Sequence, residues 1–428
     1  MNPQPISAFG PPRAVDVLVV GAGVIGVCSA WFLRQTGARV VLLDRGEVCS
    51  GSSYGNAGLV VPSHSVPLAE PAALAHGLRW LLSPDSPFYI KPRLDLDLLR
   101  WLWRFRRAAT PARVERAIPV LRDLHLASRA LYADFAAAGL DFGYCERGRV
   151  LVCNTEAGLA EAIDEARHMR SAGLQAEELT PASLAHILGD VRLNCVGGTS
   201  YPQDAHLDPA LFVRSLAQRA RDAGVEIIES AEVLRIDSRR RVVSVVDTTR
   251  GAFQPQRLVL AAGSWSPPLA VGLGLDLPIQ PAKGYSVEIE APADAPAVPF
   301  MLTEAKVGVT PLGRGRLRFA GTLELAGLDL SVNRRRVDAI VNAVPRYVPD
   351  WNPADFRVRE VWRGLRPCTP DGLALIGRPR DWDNVVLAAG HAMIGMSLGP
   401  VTGRLVAQIV GGRTPDFDLG LFDPDRFA

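Results

Sequence analysis

One short stretch near the N-terminus restricts the fold more than any other: VDVLVVGAGVIG, residues 15–26. Its β-branched run leads directly into Gly21, Gly23 and Gly26. A helix-like segment and a second apolar run, ARVVLLD, follow, and that run ends at Asp44. Strand, glycine-rich turn, helix and strand in this order predict a βαβ unit of a parallel sheet.

The glycine spacing predicts that this unit binds a dinucleotide. Gly21 allows the tight turn, Gly23 lets the backbone approach a pyrophosphate, and Gly26 lets helix and strand pack closely. Asp44 follows Gly26 by 18 residues, close to the separation expected for a carboxylate that accepts the ribose hydroxyls. Arg45 could bind the 2′-phosphate of a dinucleotide that carries one, although the neighbouring carboxylate of Asp44 would repel that group. Two further residues of the motif are predicted to line the cofactor: Val24 and Ile25.

Length and composition narrow the class of protein. A chain of 428 residues that is 48% hydrophobic predicts two domains, each with its own core. The 47 basic and 45 acidic residues nearly cancel, which argues against nucleic acid and favours a small-molecule ligand. The six cysteines are scattered and form no metal-ligand spacing, so we expect no metal site and a cytoplasmic location.

Two uncharged stretches, 17–33 and 384–403, are long enough to suggest membrane spans. Their internal glycines, and Pro400 in the second, favour strand, turn and helix instead.

The second stretch and RLVLAAGSWSPPLA, from residue 257, share an apolar strand followed by Ala-Ala-Gly. Short side chains there would let a backbone pass close to a flat ligand.

The nucleotide domain is therefore predicted to be discontinuous. The expected fold class is α/β, with a Rossmann-like FAD-binding domain and a substrate domain built from helices and a mostly antiparallel sheet. We assign residues 14–90, 191–269 and 355–428 to the first domain, and residues 91–190 and 270–354 to the second.

Several further motifs resemble those of one enzyme superfamily. They are GSSYGNAG (51–58), LRWLL and LLRWLW (within 78–103), KGYSVEIE (283–290), GLRPCTPDG (364–372) and GHAMIG (390–395). With GAGVIG, they resemble the FAD-dependent amine oxidoreductases of the D-amino-acid oxidase and glycine oxidase superfamily. The dehydrogenase (small subunit) branch is the most similar. The sequence departs from the pattern of that branch at two positions: Gly55 replaces a usual alanine, and Ala392 replaces a usual glycine. These departures leave the range of substrates open.

The resemblance implies non-covalent FAD, with its adenosine on the first βαβ unit and its isoalloxazine near GSSYGNAG and the C-terminal turns. It implies that Val233 contacts the adenine through its backbone. The other residues expected to line the cofactor are Ser52, Ser53, Asn56, Ala57, Gly58, Ala262, Gly263, Trp265, Gly390, Ile394 and Gly395. Some relatives tether FAD through a cysteine, but Cys368 lies nearer the Pro-Asp pair than that cysteine does, so we interpret it as a small apolar residue.

The implied chemistry is oxidation of an amino acid by hydride transfer from Cα to flavin N5, which requires a carboxylate anchor. The resemblance assigns that anchor to Arg366. Arg363 is a competing candidate for the same role. The structural alternative is that Arg366 only forms an ion pair with Asp371. Tyr285 is either a second carboxylate contact or a core residue. His391 either orients the flavin edge or is a hydrogen-bonded turn residue.

The leading hypothesis is dehydrogenation of a free D-amino acid to an imino acid, with D-proline and hydroxy-D-proline as candidates. Two alternatives remain: a glycine- or sarcosine-type oxidase that reduces O₂, and a non-catalytic FAD-binding module. The expected partners are the amino acid and an electron acceptor, either a quinone or O₂.

The segment LDLDLLRWLWRFRR, 94–107, predicts an amphipathic helix. Its apolar stripe is Leu94, Leu98, Trp101, Leu102 and Phe105, and its arginines are Arg100, Arg104, Arg106 and Arg107. Either the stripe packs into the second domain, or it lies on the inner face of an anionic membrane.

Overall fold

A computed structural model describes residues 11–71, 88–91, 93–189 and 191–428. Residues 1–10 and the LRWLL stretch, 78–82, lie outside that range. The helices are α1 (Val24–Gln35), α2 (Leu96–Ala108), α3 (Pro111–Ala137), α4 (Glu156–Ser171), α5 (Pro181–Leu188), α6 (Pro209–Asp222), α7 (Ser266–Val271), α8 (Arg334–Ala343) and α9 (Gly395–Val410).

The strands are numbered in the same way. They are β1 (Arg13–Val20), β2 (Val40–Leu43), β3 (Leu59–Val60), β4 (Phe88–Ile90), β5 (Arg149–Cys153), β6 (Glu177–Leu179), β7 (Gly197–Tyr201), β8 (Ala205–His206), β9 (Glu226–Ile228), β10 (Val233–Arg239), β11 (Val242–Thr248), β12 (Gly251–Leu260), β13 (Gln280–Glu290), β14 (Phe300–Leu302), β15 (Val307–Gly313), β16 (Arg316–Leu325), β17 (Val358–Cys368), β18 (Leu375–Gly377) and β19 (Val385–Ala389).

The chain divides into two compact units. The first contains the described residues up to Ser53 together with 213–280 and 367–428, and the second contains the described residues of 54–212 and 281–366. These boundaries differ from the predicted ones, because several segments assigned to the nucleotide domain pair with strands of the second unit. Strand β4 pairs with β16, β7 pairs with β5, and β17 lies next to β13.

The sheet of the first unit runs in the order β10-β11-β12-β1-β2-β9, and β19 pairs with β12. Strand β1 is parallel to both β2 and β12, and β12 is parallel to β19. Parallel strands are covered on both faces and therefore read as continuous apolar runs, which is why VDVLVV and VVLAA are recognisable in the sequence. The predicted βαβ unit is confirmed as β1-α1-β2.

The main sheet of the second unit is mostly antiparallel. It runs in the order β17-β13-β16-β15-β14-β5-β7-β6. Its core includes Val287, Phe300 and Phe319, which are nearly inaccessible to solvent. A Rossmann-like parallel sheet and a mostly antiparallel sheet together confirm the predicted α/β fold class.

Helix α2 bears on the two alternatives that the sequence left open for its apolar stripe. Leu98 and Trp101 of the predicted stripe are each only 4% exposed, and Trp101 stacks on Phe105. Leu94 lies before the helix and is exposed, whereas the part of the stripe within α2 is buried or half-buried, as the packing alternative predicted. The exposed apolar residues of the helix lie on another face, because Leu96, Leu99 and Trp103 recur at helical spacing.

No helix in the described part of the chain combines the length and the apolar character that crossing a bilayer requires. The two uncharged stretches instead contain β1 with α1, and β19 with α9, as the glycines predicted.

Candidate active site

Two of the three glycines at the turn from β1 into α1, Gly21 and Gly26, occupy positions where a side chain cannot fit, and the third, Gly23, leaves little room for one. Gly21 has φ 108°, and a Cβ atom there would lie 2.5 Å from the carbonyl oxygen of Ala261. A Cβ atom on Gly26 would lie 1.7 Å from the carbonyl oxygen of Gly21. A Cβ atom on Gly23 would lie 3.2 Å from Oγ of Ser53, so a larger side chain would project into the space before helix α1. The turn therefore has the open backbone that a pyrophosphate needs.

The N-terminus of α1 is suited to an anion. The helix has no acidic residue in its first turn and no side-chain N-cap. The amide of Val24 donates to Oγ of Ser53 at 2.9 Å, which places a neutral hydroxyl beside the turn. Ile25 follows Val24 in the same turn, and Ser52 precedes Ser53 in the first unit. The first turn of α1 therefore contributes no acidic side chain that would oppose an anion at the positive end of the helix dipole.

Asp44 directly follows β2, next to the glycine turn. Its Oδ2 accepts from the amide of Ala22 at 2.7 Å, and its Oδ1 accepts from the amide of Gly46 at 2.8 Å. An ionised carboxylate has about four lone-pair sites, so these bonds leave capacity for ribose hydroxyls. The residues of this turn fit a dinucleotide such as FAD.

Other predicted cofactor residues of the first unit follow the ends of its strands. The amide of Ala231 donates to the carbonyl of Asp44 at 2.7 Å, and Val233 begins β10 two residues later. Ala262 and Gly263 lie in the turn after β12. The guanidinium of Arg45 lies 4.2 Å from the ring centroid of Trp265, which ties that turn to the residue after Asp44.

The C-terminal turn lies between β19 and α9. Gly390 has φ 79° and Ala392 has φ 46°, so the alanine adopts a backbone conformation that favours the glycine usual in the relatives. Ile394 is the N-cap residue and Gly395 is the first residue of α9, whose first turn has no acidic residue. This turn also presents an anion-compatible helix N-terminus.

His391 is a buried, neutral residue of that turn. Its Nε2 lies 3.1 Å from Oγ1 of Thr402, and burial lowers the pKa of the imidazole to about 3. Its backbone forms an isolated bridge with Cys368, which is 1% exposed. Of the two interpretations of His391, the hydrogen-bonded turn residue describes this geometry. A role in orienting the flavin stays a prediction.

The remainder of the GSSYGNAG loop belongs to the second unit. Oδ1 of Asn56 accepts from the amide of Gly58 at 2.9 Å, and Ala57 lies between them. The buried Arg318 donates from Nη1 to the carbonyls of Asn56 at 2.8 Å and Tyr54 at 3.3 Å. Its Nη2 donates to Glu288 at 2.8 Å. Arg318 therefore holds the backbone of this loop, a role that no motif in the sequence indicated.

Arg366 lies against a glycine of the neighbouring strand. A Cβ atom on Gly284 would come within 2.5 Å of Cζ, Nη1 and Nη2 of Arg366, and Nη1 donates to the carbonyl of Thr322 at 2.9 Å. The guanidinium thus lies against one glycine and donates to one backbone carbonyl. Neither contact was indicated by the sequence, because both residues lie on other strands.

The structure shows other partners for the residues that compete with Arg366 or could pair with it. The carboxylate of Asp371 is occupied by Arg426, at 2.8 Å, and Arg366 is bonded to a backbone carbonyl. Arg363 donates from Nε to the carbonyl of Leu330 at 2.9 Å. Strand alternation places Arg363 on the face opposite to Arg366. Arg363 is therefore bonded elsewhere, on the other face of β17.

Tyr285 is a core residue with an occupied hydroxyl. It is 1% exposed, donates to Oε2 of Glu324 at 3.1 Å and accepts from the amide of Asn333 at 3.2 Å. Burial raises the pKa of its hydroxyl to about 12. The core alternative describes this residue, and a direct contact with a carboxylate stays a prediction.

Trp362 is an additional residue on the Arg366 face of β17. A Cβ atom on Gly55 would lie 2.1 Å from its indole, and one on Gly364 would lie 1.9 Å from its Cη2. Residues 362, 364 and 366 alternate along one strand and therefore share a face. The indole thus extends along the strand towards Arg366 and occupies the space that the usual alanine at position 55 would need.

Comparisons with known proteins identify the family of the chain. A family model described as FAD dependent oxidoreductase matches residues 16–409. A D-amino acid dehydrogenase of Paramagnetospirillum magneticum is 36% identical over 97% of this chain and 99% of its own length. One of Bradyrhizobium diazoefficiens is 32% identical over the same shares. The crystal structure of glycine oxidase from Geobacillus kaustophilus superposes with a TM-score of 0.79 at 26% identity, covering 97% of this chain and 99% of that one.

Proposed function

The chain belongs to the family of FAD-dependent oxidoreductases, and we propose that it dehydrogenates the Cα–N bond of a free D-amino acid. The observation that carries this proposal is the placement of Arg366 against Gly284 and the carbonyl of Thr322. A guanidinium held in this way is suited to gripping a carboxylate with two parallel hydrogen bonds. The D-amino-acid class is supported by the names of the two relatives described above.

The chain's own residues bind and orient the substrate. Arg366 holds the carboxylate, and the indole of Trp362 borders the space along the same face of β17. Bound FAD supplies the oxidising power by accepting the hydride that leaves Cα. The amine must be in its deprotonated form for its lone pair to form the C=N bond. An acyclic imino acid product hydrolyses to an oxo acid and ammonia, whereas a cyclic one persists.

We assign the cofactor contacts as the sequence predicted them. The turn of Gly21, Gly23 and Gly26 would hold the pyrophosphate and Asp44 the ribose. The FAD would be non-covalent, because Cys368 is nearly inaccessible to solvent.

We further propose D-proline and similar compact cyclic amino acids as substrates. The support is Trp362, whose indole fills the space over Gly55 and Gly364 and leaves a flat apolar wall near Arg366. Such a wall suits a small aliphatic ring better than a long or charged side chain.

The acceptor in this proposal is a membrane quinone, reached through the exposed face of α2. Leu96, Leu99 and Trp103 are 70%, 59% and 58% exposed. Arg100 lies on the same face, and the guanidinium of Arg107 lies 4.7 Å from the ring centroid of Trp103. Apolar residues that alternate with arginines on one helical face suit an anionic lipid surface. O₂ is the alternative acceptor, supported by the likeness to glycine oxidase.

An anaerobic substrate screen tests the reaction. Purified holoprotein is mixed without oxygen with D-proline, D-alanine, their L-enantiomers, glycine or sarcosine, and the flavin absorbance is recorded. We expect bleaching by the D-amino acids only, with slow return of colour in air and fast return with a soluble quinone.

Three other outcomes decide between the alternatives. Bleaching by glycine or sarcosine alone, with rapid recovery in air, would identify an oxidase. Bleaching by the L-enantiomers would contradict the stereochemical assignment. No bleaching by any of the six would support a non-catalytic FAD-binding module.

A further inference from the structure

The strand pair that carries Gly284 and Thr322 contains an irregularity. Lys283 on β13 lies opposite Glu324 on β16, but Tyr285 lies opposite Gly321. Two residues of β16 therefore face the single residue Gly284, which is a β-bulge. Bulges of this kind re-aim a side chain or a carbonyl and are over-represented next to active sites.

The bulge places Thr322 in an unusual backbone conformation. Its φ is 61°, and among the described non-glycine residues with positive φ it is the one with a β-branched side chain. Such a conformation is a genuine outlier for threonine and persists only where the surroundings impose it. Its position next to Arg366 suggests that the strained residue has a function there.

Thr322 offers two polar groups at this point, and only one is used. Its carbonyl accepts from Nη1 of Arg366 at 2.9 Å. Its hydroxyl oxygen is buried and has no hydrogen-bond partner. Buried hydroxyls normally have a partner, so this one calls for an explanation.

The charged residues nearest to Thr322 on β13 and β16 partly offset one another. The nearest acidic residue along β16 is Glu324, which is 4% exposed. Its carboxylate accepts from Tyr285 at 3.1 Å and lies 3.8 Å from Nζ of Lys283. The charge of Glu324 is therefore partly balanced within the core. Arg366 supplies positive charge on the side of Thr322.

We propose that the hydroxyl of Thr322 is a second ligand of the substrate carboxylate that Arg366 holds. This inference rests on the proposed function, because it requires Arg366 to be the anchor. The hydroxyl donates to a carboxylate oxygen, while the carbonyl of the same residue fixes the guanidinium. One strained residue thus sets the position of the arginine and supplies a further hydrogen bond. This is the contact for which the sequence offered Tyr285 as one of two alternatives.

Three substitutions separate the hydroxyl from the strain. Thr322→Val removes the hydroxyl and keeps the branched shape, and Thr322→Ser keeps the hydroxyl on a smaller side chain. Thr322→Gly removes the hydroxyl, relieves the backbone strain and keeps the carbonyl. FAD content and melting temperature report whether each variant is folded.

The readout is the inhibition constant of propanoate, a carboxylate without an amine, against the D-amino acid that the wild-type enzyme oxidises best. Propanamide, which lacks the charge, is the matched control. We expect propanoate to bind at least about tenfold more weakly to the Val and Gly variants, because a hydrogen bond to a charged group is lost. The Ser variant should bind it nearly as well as the wild type. The substrate KM should rise more than kcat falls.

The outcomes are distinguishable from failure of the proposed function. If no D-amino acid is oxidised, or Arg366→Ala leaves propanoate binding unchanged, the proposed function fails first. A different outcome is that Arg366→Ala weakens the binding of propanoate while the Thr322→Gly variant binds propanoate as tightly as the wild type does. In that case the hydroxyl does not contact the carboxylate, and this inference is overturned. Weak binding by the Ser variant, equal to that of Val, would also overturn it. If the Val variant does not fold, the Gly variant decides.

Discussion

Gly284 lies so close to Arg366 that a Cβ atom on the glycine would stand 1.9 Å from Nη1 of the guanidinium. The absence of a side chain at Gly284 on β13 therefore leaves the room that the guanidinium of Arg366 on β17 occupies. This contact connects the KGYS and GLRP motifs, which are far apart in the sequence.

The first prediction follows from that contact. Gly284→Ala should displace the guanidinium and lower kcat/KM by about a hundredfold, since misplacing a binding group by about 1 Å can cost that much. FAD content should be unchanged. The control is Gly308→Ala on β15, where a Cβ atom would make an ordinary contact at 3.8 Å. Equal activity of the two variants would show that the glycine does not position Arg366.

The glycine turn before α1 gives a second prediction. Gly23→Val should yield folded protein without FAD, because the branched side chain would project towards Ser53 and into the pyrophosphate site. The measurement is the ratio of flavin to protein absorbance after gel filtration. Gly51→Ala is the control, since nothing lies within 4 Å of a Cβ atom there. Full flavin content in the Gly23 variant would contradict the assignment of this turn.

Wild-type FAD should be released into the supernatant on heating or acidification, because the cofactor is predicted to be non-covalent. Flavin that stays with the denatured polypeptide would contradict that part of the account and would point to a tethering residue.

Gly55 and Trp362 should behave as a coupled pair. Gly55→Ala should destabilise the protein by about 1–3 kcal/mol through overpacking, since the new methyl group would lie 2.1 Å from the indole. In a Trp362→Leu background the same substitution should cost much less. A double-mutant cycle on the melting temperature measures the coupling. Additive effects would show that the indole moves away freely.

The exposed face of α2 predicts membrane binding. Trp103→Glu should abolish co-sedimentation with vesicles that contain anionic lipid at low salt and leave the melting temperature unchanged. Leu234→Glu, at a residue that is 63% exposed on β10, is the matched control and should still bind. Wild-type protein that stays in the supernatant with both anionic and neutral vesicles would remove the membrane from the proposal.

The sequence predicted the features that depend on local patterns. The βαβ unit and the placement of Asp44 follow from strand, glycine and helix signals within thirty residues of one another. Arg366 was found through the resemblance. The bulge at Thr322 and the approach of Gly284 to Arg366 were not predictable, because they depend on how strands far apart in the sequence, β13 with β16 and β13 with β17, lie next to one another.

Helix α2 illustrates a different limit. Periodicity identified one apolar face correctly, but both faces of this helix carry apolar residues, and periodicity does not say which one is buried. Trp101 packs inside while Trp103, two residues later, is exposed. The sequence left Tyr285 open between a carboxylate contact and a core residue for a related reason, since its partners Glu324 and Asn333 are distant in sequence. Alternation along β17 could have placed Trp362 beside Arg366, but the motif drew attention to the arginine alone.

The most direct test of the account is the reduction of bound flavin by the best D-amino acid, measured anaerobically in Arg366→Ala and Arg363→Ala. Loss of a charge-assisted carboxylate pair costs on the order of 3 kcal/mol, so we predict that Arg366→Ala lowers the apparent second-order rate constant about a hundredfold or more. Both variants should keep their FAD, and Arg363→Ala should reduce it at nearly the wild-type rate. A near-normal rate in Arg366→Ala, or an equal loss in both variants, would contradict the claim that Arg366 anchors the substrate.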